Sequence, residues 1–230
     1  MDFENIEEKI ITEKVKVIIL FNPHNPGGRV WTREELTKVT ALCLKHQVLL
    51  FSDEIYQDLV FAPHLFTSML TIDESLNDSL IVFTSATKIF IKNPILKISF
   101  EKKLAINQQH EVNTFSLIGT KVAYDTGSDE LSKLLPYLKR NAELAQDYFK
   151  ENLPELRVMK PEGTYLICLD FSAYEEDDQT LEQLLVTKGK VVLNPGITFG
   201  PAGHSHMRLN LACPKKVLLE GLEQIKKTFS

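Results

Sequence analysis

The sequence predicts an α/β protein, with a mostly parallel sheet in its first half and a smaller α+β portion after it. Three observations carry this expectation. Three runs, Val15–Phe21, Val48–Glu54 and Leu80–Ala86, are apolar at successive rather than alternate positions, the pattern of strands covered on both faces. A helix-spaced segment separates the first two, as a parallel crossover requires. Beyond Pro136 the rhythm changes to short strands and helices.

The elements follow in order. "VKVIILF" is the first strand. In "TREELTKVTALCLKH" (Thr32–His46), Leu36, Val39 and Cys43 share one helical face, and Thr32 with Glu35 forms a Thr-x-x-Glu capping box that starts the helix. "VLLFSDE" and "LIVFTSA" are the second and third strands. Asn113–Gly127 reads as a helix closed by Gly127. Asp129–Leu153 reads as a long amphipathic helix, with Pro136 placed early, where a kink is expected. Then come a strand ("GTYLICLDF"), a helix ("TLEQLLVTKG"), two strands ("KVVLNPG" and "MRLNLA") and a helix ("PKKVLLEGLEQIKKTF"). The expected domains are 1–135 and 136–230, with the long helix as hinge.

Composition narrows the function classes. A net charge of −5 argues against nucleic acid or an anionic membrane as the main partner. No apolar run approaches the roughly 18 residues that span a bilayer, and the acidic N-terminus has no apolar signal core. A cytoplasmic protein is expected. Cys43, Cys168 and Cys213 are far apart, odd in number and set in apolar segments, so buried free thiols in a reducing compartment are expected. His24, His46, His64, His110, His204 and His206 are scattered, and no metal site is expected.

Ligands of open parallel sheets bind beyond the carboxyl ends of the strands. Each apolar run here ends in polar residues: Asn22 and Asn25 after the first; Ser52, Asp53, Glu54 and Tyr56 after the second; Ser85, Thr87 and Lys88 after the third. An amide, a carboxylate, a phenol and an amine at one sheet edge are what an aldehyde cofactor with an aromatic nitrogen needs. Singly, each has a plainer reading. "NPHNPGG" can be a turn, Asp53 and Ser85 can cap helices, Tyr56 can be a core-edge aromatic, and Lys88 can be a solvated residue in a helix's first turn.

Taken together, "NPHNPGGRVW", "SDEIYQDLVF" and "TSATK" resemble the fold-type I pyridoxal-phosphate enzymes of the class I/II aminotransferase family. "EVNTFSLIGTKVAY", "KPEGTYLICLDF", "VVLNPGITFG" and "MRLNLACP" narrow the resemblance to the cystathionine β-lyase, or carbon–sulfur lyase, branch. The resemblance covers almost the whole chain. It implies the large cofactor-binding domain of that fold, incomplete, plus its small domain. It implies pyridoxal phosphate held as a Schiff base by Lys88, which then acts as the base at the substrate Cα. Asp53 is implied at the pyridine nitrogen, Asn25 and Tyr56 at the ring oxygen, and Ser85 and Lys97 at the phosphate. Arg208 is implied at the substrate α-carboxylate, with a cis peptide before Pro26. A small amino acid is the implied substrate and a homodimer the implied assembly.

Two departures accompany the match. Roughly the first third of the family's chain has no counterpart, including its phosphate-cupping helix start, so an unpaired sheet edge and an exposed apolar face are expected. After Lys88, "KIFIKNPILK" puts Lys97 one residue beyond the family's basic phosphate ligand and Ile95 where its glycine belongs. An inserted residue of this kind shifts a strand's register. Three functional readings stand: a carbon–sulfur β-lyase, an aminotransferase using the same cofactor, and a non-catalytic remnant of such an enzyme.

Overall fold

The apolar runs become strands, and the polar residues that follow them mark where the chain leaves the sheet. The structure, a computed structural model, describes residues 1–85, 88–107, 114–175 and 177–229, with the backbone alone at Ser85 and Lys88. The described chain divides into two units, one of residues 1–23, 30–58 and 65–132, the other of residues 24–29, 59–64 and 133–230.

The first unit opens with a helix that the sequence reading did not include, α1 (Phe3–Thr12), capped by Asp2, which accepts from Asn5 N at 3.0 Å. Strand β1 (Val17–Phe21) leads to α2 (Arg33–His46), whose capping box is complete: Glu35 N donates to Thr32 Oγ1 (3.2 Å) and Thr32 N to Glu35 Oε2 (2.9 Å). Strands β2 (Leu49–Asp53) and β3 (Leu80–Ser85) follow, and β1, β2 and β3 are parallel neighbours. The chain then reverses. Strand β4 (Lys88–Ile91) runs antiparallel to β3, with Lys88 opposite Ser85. Lys88 therefore opens a strand and does not lie in a helix's first turn.

The register explains what the sheet buries. Ile18, Leu50 and Leu80 lie in one cross-strand row, and Leu20, Ser52 and Val82 in the next. Ile18, Leu20, Leu50, Leu80 and Val82 of these rows pack with Leu36, Val39 and Cys43 of α2 and with Met69 and Leu76. Each fully buried aliphatic side chain contributes about 1.5–3 kcal/mol. The opposite face carries Val17, Ile19 and Phe51. The apolar runs imply cover on both faces, but Ile19 is 61% exposed and Val17 38%. Strand β1 is a sheet edge among the described residues. Helices α3 (Pro94–Ile106) and α4 (Thr114–Thr126) likewise expose apolar residues, including Ile95, Ile98, Phe115 and Ile118. The expected open edge and bare apolar face are both present.

The passage after Lys88 is a second correction. Where a strand out of register was expected, Asn93 caps α3 by accepting from Ile95 N (2.9 Å) and Leu96 N (3.1 Å), with Pro94 at its first position. An N-cap asparagine followed by proline starts a helix because both suit a turn whose first N–H groups lack internal partners.

Helix α5 (Ser128–Asn152) follows Gly127 and contains Pro136. The second unit then forms an antiparallel sheet of β5 (Arg157–Val158), β6 (Leu166–Asp170), β7 (Asn194–Pro195) and β8 (His206–Asn210), in the order β5-β6-β8-β7. Its core joins Phe149 of α5, Ile167 and Leu169 of β6, Leu181 and Leu185 of α6 (Asp178–Thr187), and Leu222 of α7 (Lys215–Phe229). The strand expected over Lys190–Gly196 shrinks to Asn194–Pro195. The chain leaves α6 through Lys190 in the left-handed region (φ 55°), and Val192 is 80% exposed, so apolar composition alone did not secure a ladder partner. No helix among the described residues is long and apolar enough to cross a membrane.

Candidate active site

In the first unit, parallel strands end at a common edge. Asp53 closes β2, level with Phe21 of β1 and Phe83 of β3. The ladder continues one step past the strands through Asn22 N to Asp53 O (2.9 Å) and Glu54 N to Phe83 O (2.7 Å). Asp53 Oδ1 accepts from Ile55 N at 3.1 Å. This Asx turn swings the chain out of the sheet toward Tyr56. Ser85 and Lys88 are cross-strand partners at the tip of the β3–β4 hairpin. Their side chains, and Thr87, lie outside the described residues.

Two residues of this edge have partners that no local motif announces. Glu54 is fully buried. Its carboxylate accepts from Ser52 Oγ (3.0 Å), Met69 N (2.9 Å) and Ser68 Oγ (2.6 Å). Burial pushes the Glu54 carboxyl above its ordinary pKa, against the opposing pull of those three donors. Asn22, also fully buried, donates from Nδ2 to Thr67 O (2.9 Å) and accepts at Oδ1 from Trp31 N (3.3 Å). Both are among the polar residues that end the apolar runs, but that Glu54 would meet Ser68 and Met69, and Asn22 the carbonyl of Thr67 across 45 residues, only the fold decides.

In the second unit, Arg208 is the centre of the arrangement. It sits on β8 between Cys168 of β6 and Asn194 of β7. One terminal nitrogen donates to Asn25 Oδ1 at 2.9 Å, the other to Asn194 Oδ1 at 3.0 Å. The guanidinium lies 4.8 Å from the centre of the Phe199 ring, a cation–π distance. Its Nε–H is buried and has no acceptor among the described residues. A planar cation held at both ends and stacked on one face is prepared for a planar anion. Asn194 and Phe199 belong to this arrangement, and the sequence reading did not single them out.

Asn25 is fixed by its loop. The peptide before Pro26 is cis, as expected, and so are those before Pro23 and Pro63. His24 N donates to Arg29 O (2.7 Å) and Gly28 N to His24 O (2.7 Å), and Gly28 O receives Glu162 N (2.8 Å) and Gly163 N (3.1 Å). Arg29 pairs with Glu162 at 3.0 Å. Gly28 has φ 71°, and a Cβ there would lie 2.7 Å from Pro161 Cβ, so only glycine fits.

Lys97 lies on α3, mostly exposed, 3.9 Å from Glu101 one turn along. The cysteines are free thiols. Cys43 and Cys168 are buried, and desolvation pushes both up to about 11, whereas Cys213 is only partly buried. No group of three or more His, Cys, Asp or Glu residues among those described could hold a metal ion.

Comparison with known proteins is consistent with this geometry. Residues 1–225 match the family model described as aminotransferase class I and II. Cystathionine β-lyase PatB of Bacillus subtilis (strain 168) is 36% identical over 241 aligned positions, covering 100% of this chain and 62% of PatB. Protein MalY of Escherichia coli (strain K12) is 31% identical, covering 96% of this chain and 59% of MalY. Among solved structures, cystalysin from Treponema denticola, which contains pyridoxal 5′-phosphate, superposes with a TM-score of 0.93 at 31% identity, covering 99% of this chain and 61% of cystalysin. The chain thus spans about three fifths of the length of each of these proteins.

Proposed function

The chain belongs to the class I and II aminotransferase family, and on that premise we propose that it serves a pyridoxal-phosphate-dependent carbon–sulfur β-lyase. The reaction would convert an amino acid such as cystathionine, with water, to homocysteine, pyruvate and ammonia. One observation carries the reading: Asp53, Ser85 and Lys88 arrive at one edge of one sheet, on adjacent strands, in the order the chemistry needs. The similarity to PatB favours the lyase outcome.

The residues fit the cofactor by the chemistry of their donors. Lys88 supplies the amine that holds the cofactor's aldehyde carbon and later moves the substrate's Cα proton. A free lysine titrates near about 10.4, so that role requires Lys88 to be neutral. Asp53 keeps the ring nitrogen protonated through a charge-assisted hydrogen bond. Asn25 and Tyr56 serve the ring oxygen, and Ser85 and Lys97 the phosphate. Arg208, already held at both ends, would take the substrate α-carboxylate. When bound, pyridoxal phosphate would supply an electron sink for the charge left at Cα. A homodimer in the cytoplasm is part of the proposal.

The second reading is an aminotransferase, favoured by the matched family's own description. The experiment is direct. Pyridoxal phosphate is added to the chain, the visible absorbance band is recorded, and borohydride reduction followed by peptide mapping identifies the modified lysine. Cystathionine is then tested for pyruvate formation. Modification at Lys88, with pyruvate released without an added keto acid, supports the lyase. Turnover that depends on a keto acid replaces it with the aminotransferase. Absence of the band at saturating cofactor refutes both and leaves the non-catalytic remnant.

A further inference from the structure

Strands β1 and β2 leave the sheet at the same edge, and the first residue past each is a fully buried polar side chain, Asn22 and Glu54. Both reach one segment, Thr67–Met69. Asn22 Nδ2 donates to Thr67 O, and Glu54 receives Ser68 Oγ on one carboxylate oxygen and Met69 N on the other. The segment is itself anchored. Met69 is buried in the core of the first unit, and Ser68 Oγ accepts from Leu70 N (3.2 Å), capping the short 3-10 turn Met69–Thr71.

Asp53 is therefore gripped from both sides. Its carbonyl accepts from Asn22 N, its own side chain closes the turn to Ile55, and Glu54 is the fixed point of that turn. Glu54 O in addition accepts from Gln57 N (2.9 Å), which ties in the far side of Tyr56. A buried carboxylate is an expensive way merely to tie down a loop, because desolvating the charge opposes folding. What it supplies is geometry: two oxygens, three donors and one permitted orientation.

We propose that Glu54 and Asn22 are positioning residues, strapped to Thr67–Met69, that set the aim of Asp53 and Tyr56 at the cofactor ring. The inference rests on the cofactor-binding function proposed above. A misaimed Asp53 would accept less well from the protonated ring nitrogen and so hold that proton less firmly, and a misaimed Tyr56 would donate less well to the ring oxygen. Both faults change how the bound cofactor titrates, which a loss of stability alone does not do.

The test uses the whole chain and four variants. Ser68→Ala removes one donor to Glu54, and Ser68→Thr retains a hydroxyl there. Glu54→Gln keeps the shape and removes the charge. Leu36→Val loosens the fully buried α2 contact in the same core and leaves the strap intact. Circular dichroism and urea midpoints establish folding. The readouts are the affinity for pyridoxal phosphate and the pH midpoint of its visible absorbance. For Ser68→Ala and Glu54→Gln the expected results are an affinity about tenfold weaker and a midpoint moved by about half a pH unit or more. Ser68→Thr is expected to behave as the unmodified chain. Leu36→Val is expected to lower the urea midpoint without moving the pH midpoint. If the folded Ser68→Ala and Glu54→Gln chains bind and titrate like the unmodified one, or Leu36→Val shifts the midpoint as much as they do, the positioning role is overturned and the proposed function stands. If the unmodified chain gives no visible band, the proposed function falls and this inference falls with it.

Discussion

Substituting Arg208 by lysine tests the anion fork directly. The guanidinium now donates to Asn25 Oδ1 and Asn194 Oδ1 from its two ends and stacks on Phe199. Lysine keeps the charge but presents it as a point, so it cannot serve both asparagines, stack on the ring and grip a carboxylate bidentately at once. On the proposed function, the substitution would remove one charge-assisted hydrogen bond to the substrate carboxylate, about 1.5–3 kcal/mol. At 1.36 kcal/mol per tenfold change, that is a loss of about 10- to 150-fold in substrate affinity. Steady-state kinetics on cystathionine should show the loss in KM, with kcat changed far less, because the α-carboxylate is held alike before and during the chemical step. Cofactor loading, read from visible absorbance, should be unchanged. An Arg208→Lys chain with unaltered KM and reduced kcat would refute the assignment of this fork to the carboxylate.

Three further outcomes follow from the structure. Thr32→Ala should lower unfolding stability by about 1 kcal/mol in urea titrations, because it breaks the reciprocal Thr32–Glu35 cap. Glu54 gives a pH signature. Its folded pKa lies above the ordinary 4.5, so the folded state holds that proton more tightly than the unfolded state. The stability Glu54 contributes is present below 4.5 and is lost as pH rises through the folded value. Glu54→Gln lacks this loss, so denaturation curves should show the unmodified chain losing ground to the variant as pH rises above 4.5; parallel curves would contradict the shift. Ile19→Lys places a charge on the bare face of the edge strand β1, and sedimentation velocity should show less concentration-dependent self-association than for the unmodified chain.

Much of the fold was legible because it is local. The Thr32–Glu35 box spans three residues and needs nothing distant to form. Successive apolar residues in Val15–Phe21, Val48–Glu54 and Leu80–Ala86 announce strands, though not that the first would leave one face bare, and the carboxylate of Asp53 falls at a strand's end because the apolar run stops there. The helix α3 was legible too, in Asn93–Pro94, but expecting the family's strand there obscured it.

What tertiary structure alone decided was which distant groups meet. Arg208 finds Asn25 across 183 residues of chain, and Asn22 finds Thr67 across 45. The valines after Lys190 are as apolar as any strand, but only the fold determined that Asn194, and not Val192, would face Arg208. A capping box or an apolar period is specified by neighbours one turn away. A hydrogen bond between remote side chains exists only after the core has packed, since packing brings the partners together and excludes the water that would otherwise satisfy them.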